Sequence, residues 1–382
     1  MTPAPRPDLT RARWAITALF AVNGAALGSW VARIPVVQES LGLDEAALGT
    51  ALVGLSVGVV TALPVAGGVV ARRGARSVAA VGSAVIGLAL PLVPLADSTA
   101  ALFAVLALFG AGMSTMDVAM NAHGVAVEAR LDRPVMVSFH GAWSLGGLAG
   151  TGLGSLAIAG GLSTAAHLTL AGILIGGIGL AAVVASRGTD TARRTEPGPA
   201  LAFPRGRLWL IGLVAGSSAL GEGAVADWSG VYLRDATGAA PATAALGFLV
   251  FSLTMAAMRF AGDRVAGRFG PATTVRAGGL LAGTGLLLAL AVPVVPVALA
   301  GFALAGVGLA AVVPLSFAVA GRSGVVSEGE AVAGVATIAY SALLAGPPFI
   351  GFVAHAVDLT FALFLVGLMV ASLGVSGRVL AR

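Results

Sequence analysis

The chain has 382 residues, of which 58% are hydrophobic and only 10% are charged, and its mean hydropathy is +0.98. Since a soluble domain carries about a quarter charged residues, this composition excludes a soluble globular protein and indicates one that crosses a membrane many times. The net charge is +5, and the basic residues are 22 arginines with no lysine. The lack of cysteine excludes disulfides, thiolate metal sites and cysteine nucleophiles.

Twelve apolar segments are long enough to cross a hydrocarbon core about 30 Å thick. The first follows Arg11 and Arg13, as the apolar part of a signal peptide would, but many further spans follow it, so we interpret it as a retained first helix. The sequence therefore predicts an all-α integral membrane protein. The predicted spans lie near 13–33, 46–70, 77–95, 100–126, 134–158, 165–186, 208–232, 243–264, 273–293, 296–320, 331–353 and 359–379.

The arginines are distributed unevenly between the two ends of these spans. Nineteen of them lie at one set of ends, only Arg33 and Arg234 lie at the other set, and Arg259 lies within a span. By the positive-inside rule, this distribution places both termini in the cytoplasm. The same distribution accounts for the pI near 11. In a soluble protein such basicity would indicate nucleic-acid binding, but here the arginines lie at the ends of membrane spans.

Spans four and five carry polar residues at depth. Asp117 and Asn121 are four residues apart and share one helix face, and His140 and Trp143, three apart, share another. If 128–133 form the aqueous turn, a rise of about 1.5 Å per residue puts Asp117 and Trp143 about 16 and 14 Å deep. Asn121 and His140 then lie about 10 and 9 Å deep. Ionisable groups at such depth usually face a water-filled path or a substrate.

These four side chains are our first candidates for function. We interpret Asp117 as binding a proton or a cationic solute and Asn121 as hydrogen-bonding a polar solute; otherwise they satisfy helix ends or a neighbouring span. His140 is either part of a proton relay or a neutral hydrogen-bond partner of Asn121. Trp143 either stacks on a sugar or organic ring or only packs.

The longest polar stretch, 187–207, is rich in Arg, Pro and Gly. We predict that it is a cytoplasmic linker between two six-helix bundles, 1–186 and 208–382. The bundles resemble each other at an offset of 196 positions, as expected of an internal repeat. The matching pairs are Arg72-x-Gly74 with Arg268-x-Gly270 and Gly110-x-Gly112 with Gly306-x-Gly308.

The two halves of the repeat differ at the polar residues of span four. Asp117 and Asn121 of span four map onto Val313 and Phe317 of span ten, which is apolar there. Pro314 interrupts span ten, and a proline pair interrupts span eleven, where the missing backbone donor favours a kink. The 55 glycines permit close helix contact.

Further charged residues lie on spans seven and eight and at the end of span one. Glu222 is a second coupling candidate or else a structural carboxyl paired with a neighbouring helix. Asp227 and Arg33 reach similar heights and form either a gate pair on the outer side or two solvated surface groups. Arg259 and Asp263 are four residues apart, which predicts an intrahelical salt bridge or an inner gate contact.

The remaining polar residues are scattered. Asn23 lies near mid-depth on span one and Tyr340 offers a hydroxyl on span eleven, so we count both as solute contacts. His123, His167 and His355 are interpreted as interfacial or structural. Four scattered histidines offer no metal-ligand spacing, and no metal or cofactor is expected.

The whole pattern resembles the major facilitator superfamily, and four segments resemble its bacterial branch of MosC-like and YbjJ-like permeases. These segments are DVAMNAHGVAVE, FHGAWSLGGLAG, GEGAVADWSGVYL and GPPFIG. The resemblance implies the major facilitator fold, with two pseudo-symmetric six-helix bundles. It also implies alternating access around a central site that spans one, four, seven and ten line.

The superfamily's cytoplasmic loop motif, Gly-x-x-x-Asp-Arg-x-Gly-x-Arg, is matched in part. Ala71 occupies the aspartate position in the first half and Gly267 replaces the acid in the second. The resemblance therefore implies that the loop clasp is weakened, or that Asp263 substitutes for the missing acid. The matching residues are Gly67, Arg72, Gly74 and Arg76, and in the second half Arg268 and Gly270.

The chain has no Walker loop and no Gly-x-Ser-x-Gly elbow, so we expect no enzyme and an ion gradient as the energy source. We predict a monomeric secondary transporter of the bacterial inner membrane, which moves a small polar organic solute by alternating access. Asp117 or Glu222 would carry the proton, and sodium coupling stays open. The alternatives are a proton-antiporting exporter of drugs or metabolites, a membrane-embedded sensor without net transport and, more distantly, a membrane enzyme.

Overall fold

A computed structural model describes residues 9–131, 135–189, 204–326 and 328–381, and helices are the main regular elements within these ranges. Twelve helices in the described part of the chain are long and apolar enough to cross a membrane, so the predicted number of spans is confirmed. Helices suit this setting because each satisfies its backbone hydrogen bonds internally, where lipid offers no partners.

We number these helices as spans one to twelve in chain order. Their bounds are Leu9–Val31, Glu45–Arg73, Ala75–Leu92, Thr99–Leu131, Met136–Ala159, Thr164–Ala185, Arg207–Thr237, Leu246–Phe269, Pro271–Ala291, Val295–Leu309 continued by Val312–Gly321, Glu328–Ala356, and Leu359–Ala371. Shorter pieces flank them: the helices Ile34–Leu41, Pro241–Ala244 and Leu373–Ser376, and the 3-10 turns Val93–Leu95 and Gly377–Leu380.

A single glycine forms the turn after span two and another the turn after span eight. Gly74 joins spans two and three with φ +86° and ψ +155°, and Gly270 joins spans eight and nine with φ +80° and ψ +158°. Only glycine adopts such positive φ values without strain. The equal conformation of two residues 196 positions apart supports the internal repeat.

Helix contacts repeat at the same offset. A Cβ placed on Gly110 would lie 2.0 Å from the Leu55 carbonyl oxygen, and one on Gly306 would lie 2.3 Å from that of Phe251. Both glycines therefore let two helix backbones touch, as small residues do inside membranes. The equivalent contacts are Gly110 with Leu55, Gly306 with Phe251, Gly112 with Ile86, and Gly308 with Ala282.

The described chain groups into two compact units. The first contains Gly54–Ala157, span six and the part of span one that ends at Trp30. The second contains Val31–Val53 and spans seven to twelve. Of the predicted linker, residues 190–203 lie outside the described residues.

The prolines of spans ten and eleven have different effects. Span ten breaks between Leu309 and Val312, directly before Pro314, whose ring clashes with the carbonyl four residues earlier in a regular helix. Span eleven, by contrast, continues as one helix through Pro347 and Pro348. Prolines inside membrane helices are tolerated where neighbouring groups satisfy the freed carbonyls.

The repeated glycine contacts predict equal sensitivity in the two halves. Gly110→Ala and Gly306→Ala should each lower the free energy of unfolding by about 1–3 kcal/mol, since the new methyl group overpacks a backbone contact. The Tm of the purified protein in detergent measures this effect. Gly177→Ala is the matched control, because nothing lies within 4 Å of a Cβ at that helical position. A loss in only one of the two halves would contradict the equivalence.

Candidate functional site

Span four presents a polar face built from Asp117 and Asn121. The Asn121 amide donates to Asp117 Oδ1 at 3.1 Å and to the Asp117 carbonyl oxygen at 2.9 Å. Asp117 is exposed and Asn121 half-buried, whereas Met116 and Met120, about 100° around the helix from them, are fully buried. The helix therefore keeps a carboxylate on an uncovered face, held by a neutral amide.

Asn23 of span one lies next to Trp143 of span five. The Trp143 indole Nε1 donates to Asn23 Oδ1 at 2.9 Å, and Asn23 Nδ2 donates to the Met113 carbonyl oxygen of span four at 3.2 Å. Asn23 is only 2% exposed, while Trp143 is half-buried. Two residues that were predicted to contact solute, Asn23 and Trp143, are thus hydrogen-bonded to each other.

His140 is exposed and lies one turn before Trp143. Its ring packs edge-on against Phe20 of span one, with ring centroids 5.1 Å apart and planes at 70°. Phe20 in turn stacks on Phe139 at 5.5 Å, and both phenyl rings are fully buried. An aromatic cluster therefore fixes one side of the imidazole and leaves the ring accessible.

The second unit holds a different polar group on spans seven and eight. Glu222 Oε2 lies 3.4 Å from Arg259 Nη2, and Ser218 Oγ donates to Glu222 Oε1 at 3.3 Å. The alternative interpretation of Glu222, a carboxyl paired with a neighbouring helix, is the arrangement that the structure contains. The predicted partner of Arg259 was Asp263, whose side chain lies outside the described residues.

Arg33 and Asp227 are not brought together as a gate pair. Arg33 is 2% exposed, and its burial lowers the pKa of the guanidinium from its ordinary value. Asp227 is half-buried on span seven and makes no ion pair with any described residue. Equal height along two helices does not fix the directions in which their side chains point. Tyr340, also a predicted solute contact, is 51% exposed on span eleven.

Arg234, at the end of span seven, makes the contact that sequence reasoning missed. Its Nη1 donates to the Pro35 carbonyl oxygen at 2.6 Å, and its Nη2 donates to Gln38 Oε1 at 2.9 Å. Gln38 is 4% exposed and also donates to the Leu43 carbonyl oxygen at 3.2 Å. We call Arg234, Pro35 and Gln38 the Arg234 clasp. The sequence carries one signal for this contact: Arg234 is one of only two arginines at the ends of the spans where arginine is rare.

Two further contacts join the start of span two to span eleven. His355 Nδ1 lies 3.3 Å from Asp44 Oδ2, but both side chains are more than half exposed, so the pair adds little stability. Gly49 and Gly351 allow closer contact, since a Cβ on Gly49 would lie 2.6 Å from the Pro347 carbonyl oxygen. The Arg234 clasp and this glycine contact hold the segment between spans one and two against the second unit, to which it belongs.

Arginines in and near the loop motif donate hydrogen bonds to backbone carbonyls at helix ends. Arg76 Nε donates to the Val183 carbonyl oxygen at 3.1 Å, and Arg276 Nε donates to that of Gly374 at 2.9 Å. The first bond joins span three to the end of span six, and the second joins span nine to the short helix that follows span twelve. Arg276 was not singled out from the sequence. Of the other motif residues, Arg72 and Arg268 are exposed, and the Arg268 guanidinium lies 5.5 Å from the Phe269 ring.

Among the described residues, no three His, Asp or Glu side chains are grouped as metal ligands would be. The described membrane-crossing helices offer an exposed carboxylate with its amide at Asp117, a half-buried carboxylate without an ion pair at Asp227, an aromatic wall, and the Glu222–Arg259 pair.

No protein-family model matches the chain, but curated proteins match it over nearly its whole length. The uncharacterized transporter y4wD of Sinorhizobium fredii is 38% identical over 375 residues, which cover 96% of this chain and 97% of that protein. An uncharacterized MFS-type transporter of Yersinia pestis is 33% identical, with 95% and 94% covered. The membrane protein MosC of Rhizobium meliloti is 33% identical, with 94% and 88% covered.

Solved structures share the fold at low sequence identity. The nucleoside transporter NupG superposes with a TM-score of 0.78 at 13% identity, covering 97% of this chain and 99% of that one. A bacterial homologue of the human lysosomal transporter Spinster, inward-facing and occupied, has a TM-score of 0.76 at 13% identity, with 99% and 98% covered.

The Arg234 clasp predicts a change in local opening that cysteine labelling can measure. Val37 is 3% exposed, and the natural chain has no cysteine, so Val37→Cys gives a single reporter thiol. Adding Arg234→Ala should speed its modification by a maleimide about tenfold, because two hydrogen bonds from a charged group are lost.

Asp235→Asn is the matched control for this labelling. It removes the exposed carboxylate 2.5 Å from Arg234 Nε but leaves the bonds to Pro35 and Gln38 in place. The labelling rate should then stay near that of the parent. Equal rates in all three proteins would show that the clasp does not hold this segment.

Proposed function

The chain belongs to the major facilitator superfamily, and from this premise we propose that it moves a small polar organic solute across the bacterial inner membrane by proton-coupled alternating access. Two relatives that match almost the full chain are named as transporters, one of them as an MFS-type transporter. The solute, the coupling ion and the orientation, with both termini in the cytoplasm, are parts of the proposal.

The exposed carboxylate of Asp117 carries the proposal. Within the described residues it accepts a hydrogen bond from the neutral amide of Asn121 and has no cationic partner. A charged group in a membrane-crossing helix is costly unless it faces water, a counter-ion or a substrate. A proton or a cationic solute is therefore the natural partner of Asp117 during transport.

Glu222 would act differently because it already holds Arg259. Protonation of this carboxyl would remove the attraction to the guanidinium and so loosen the contact between spans seven and eight. We therefore assign Asp117 the proton that travels with the solute and Glu222 a proton-dependent helix contact. Removing one member of such a pair leaves the other charge uncompensated, which is costly in an apolar setting.

The polar and aromatic side chains suit a solute with hydrogen-bonding groups and a ring. Asn121, His140 and Trp143 belong with Asp117 to the first unit, and Tyr340 is 51% exposed in the second. Sugars, polyols, inositol derivatives, amino acids and organic acids fit this description. Nucleosides join the list of candidates because NupG, a nucleoside transporter, shares the fold.

A thermal-shift screen of the purified protein should identify the solute. A ligand at a hundred times its Kd stabilises the folded protein by about 2.7 kcal/mol, which a Tm measurement resolves. We expect a polar hit whose shift differs between pH 5.5 and pH 7.5. Shifts confined to hydrophobic cations would favour an exporter, and binding without movement in liposomes would indicate a sensor.

Asp117→Asn should separate coupling from solute movement. In proteoliposomes loaded with the solute from the screen, this variant should lose at least tenfold in accumulation driven by a pH gradient, since its amide carries no titratable proton. Exchange of labelled for unlabelled solute should persist. Asp97→Asn is the control, because Asp97 is an exposed acid in the loop between spans three and four. Full uphill transport by Asp117→Asn would refute the coupling role.

A further inference from the structure

Asn23 has a role that a solute contact does not explain. Its side chain is 2% exposed, and both its polar ends are used by the protein. The orientation of the amide follows from its partners: indole Nε1 only donates, so the oxygen faces Trp143, and a carbonyl only accepts, so the nitrogen faces Met113. One buried amide thus joins spans five, one and four.

The carbonyl that Asn23 reaches belongs to the turn that holds Asp117. In an α-helix the carbonyl of Met113 accepts from the amide of the residue four positions later, which is Asp117. Asn121 then donates to the carboxylate one turn further on. The Trp143 ring is therefore connected to the carboxylate's own helical turn through a single side chain.

Backbone packing leaves Asn23 little freedom. A Cβ on the adjacent Gly24 would lie 2.0 Å from the Trp143 carbonyl oxygen, so spans one and five touch at this level. At Gly147, one turn past Trp143, the nearest foreign atom to such a Cβ is the Gly24 carbonyl oxygen at 3.7 Å. The indole is thus held on its N–H side, while the half-buried Trp143 side chain stays partly uncovered elsewhere.

We propose that Asn23 is a positioning residue that fixes the Trp143 indole relative to the Asp117 turn, so that the indole offers solute its ring face and not its N–H. The inference rests on the proposed function and narrows the solute class. The solute then carries a flat or C–H-rich ring that stacks on the indole, with polar groups that reach Asp117 and Asn121.

Fluorine NMR of protein labelled with 5-fluorotryptophan tests the positioning without any solute. The five tryptophans give five resonances, and Trp143→Phe assigns the relevant one. In Asn23→Leu, an apolar change of similar size, we expect the Trp143 resonance to shift and broaden while the other four stay in place. An unchanged Trp143 resonance would overturn the proposal, and so would equal movement of all five.

Thr151→Val is the matched control for that spectrum. Thr151 is fully buried in the same contact between spans one and five, where its Oγ1 donates to the Gly28 carbonyl oxygen at 3.3 Å. The Thr151→Val change removes this interhelical hydrogen bond and leaves the Trp143 side chain and its partner unchanged. If this control moves the Trp143 resonance as much as Asn23→Leu does, Asn23 only packs the helices.

A double-mutant cycle adds a thermodynamic readout. Asn23→Leu leaves the indole N–H unpaired and Trp143→Phe leaves the amide oxygen unpaired, so each should lower the Tm. The double variant removes both partners together and should lower the Tm by less than the two single changes added. Additive losses would mean that the two side chains act independently.

The ring preference is tested with defined probes in the thermal-shift assay. Uridine, glucose and myo-inositol carry rings, whereas mannitol is an open-chain polyol of similar polarity. We expect stabilisation by at least one ring probe, with a weakening of about tenfold in Asn23→Leu and a smaller loss in Trp143→Phe, which keeps a ring face. Binding of mannitol alone would overturn the ring preference. Since the NMR result is independent of transport, a failure of the proposed function would not be mistaken for a failure of the positioning.

Discussion

Contact between helix backbones at glycine is the constraint on which this structure depends. Inside a bilayer, lipid chains are as apolar as leucine, so helices associate through close packing and polar contacts and not through the hydrophobic effect. Gly24, Gly146 and Gly150 bring spans one and five together so closely that any Cβ there would meet a backbone oxygen of the other helix at 2.2 Å or less. The hydrogen bond between Asn23 and Trp143 exists because that approach places the two side chains face to face.

The two halves share their packing but differ in their charges. The glycine contacts, the single-glycine turns and the arginine bonds to helix ends recur in both. At the positions equivalent to Asp117 and Asn121, however, the second half has Val313 and Phe317, and Phe317 packs against the apolar cluster around Ile211 and Val335. The repeat therefore provides a common scaffold, while one half carries an exposed carboxylate and the other a carboxylate neutralised by Arg259.

Much of the fold was predictable from the sequence because hydropathy and arginine position depend on single residues and their order. Twelve spans, the repeat and the shared face of Asp117 and Asn121 all follow from such local rules. The partners of Arg234, Asn23 and Arg259 do not, because they depend on which way neighbouring helices are rotated. Height along a helix suggested a pair between Arg33 and Asp227, yet Arg33 is buried and Asp227 has no ion-pair partner among the described residues.

The break in span ten gives the two halves unequal stiffness. Span four runs as one helix over Thr99–Leu131, whereas span ten consists of Val295–Leu309 and Val312–Gly321 with a joint between them. The first piece packs through Gly306 and Gly308 against spans eight and nine, and the second packs in the cluster with spans seven and eleven. Span ten can thus bend at the joint and let its two ends follow different neighbours. Span four has no such joint, so its helical hydrogen bonds run without a break past Asp117.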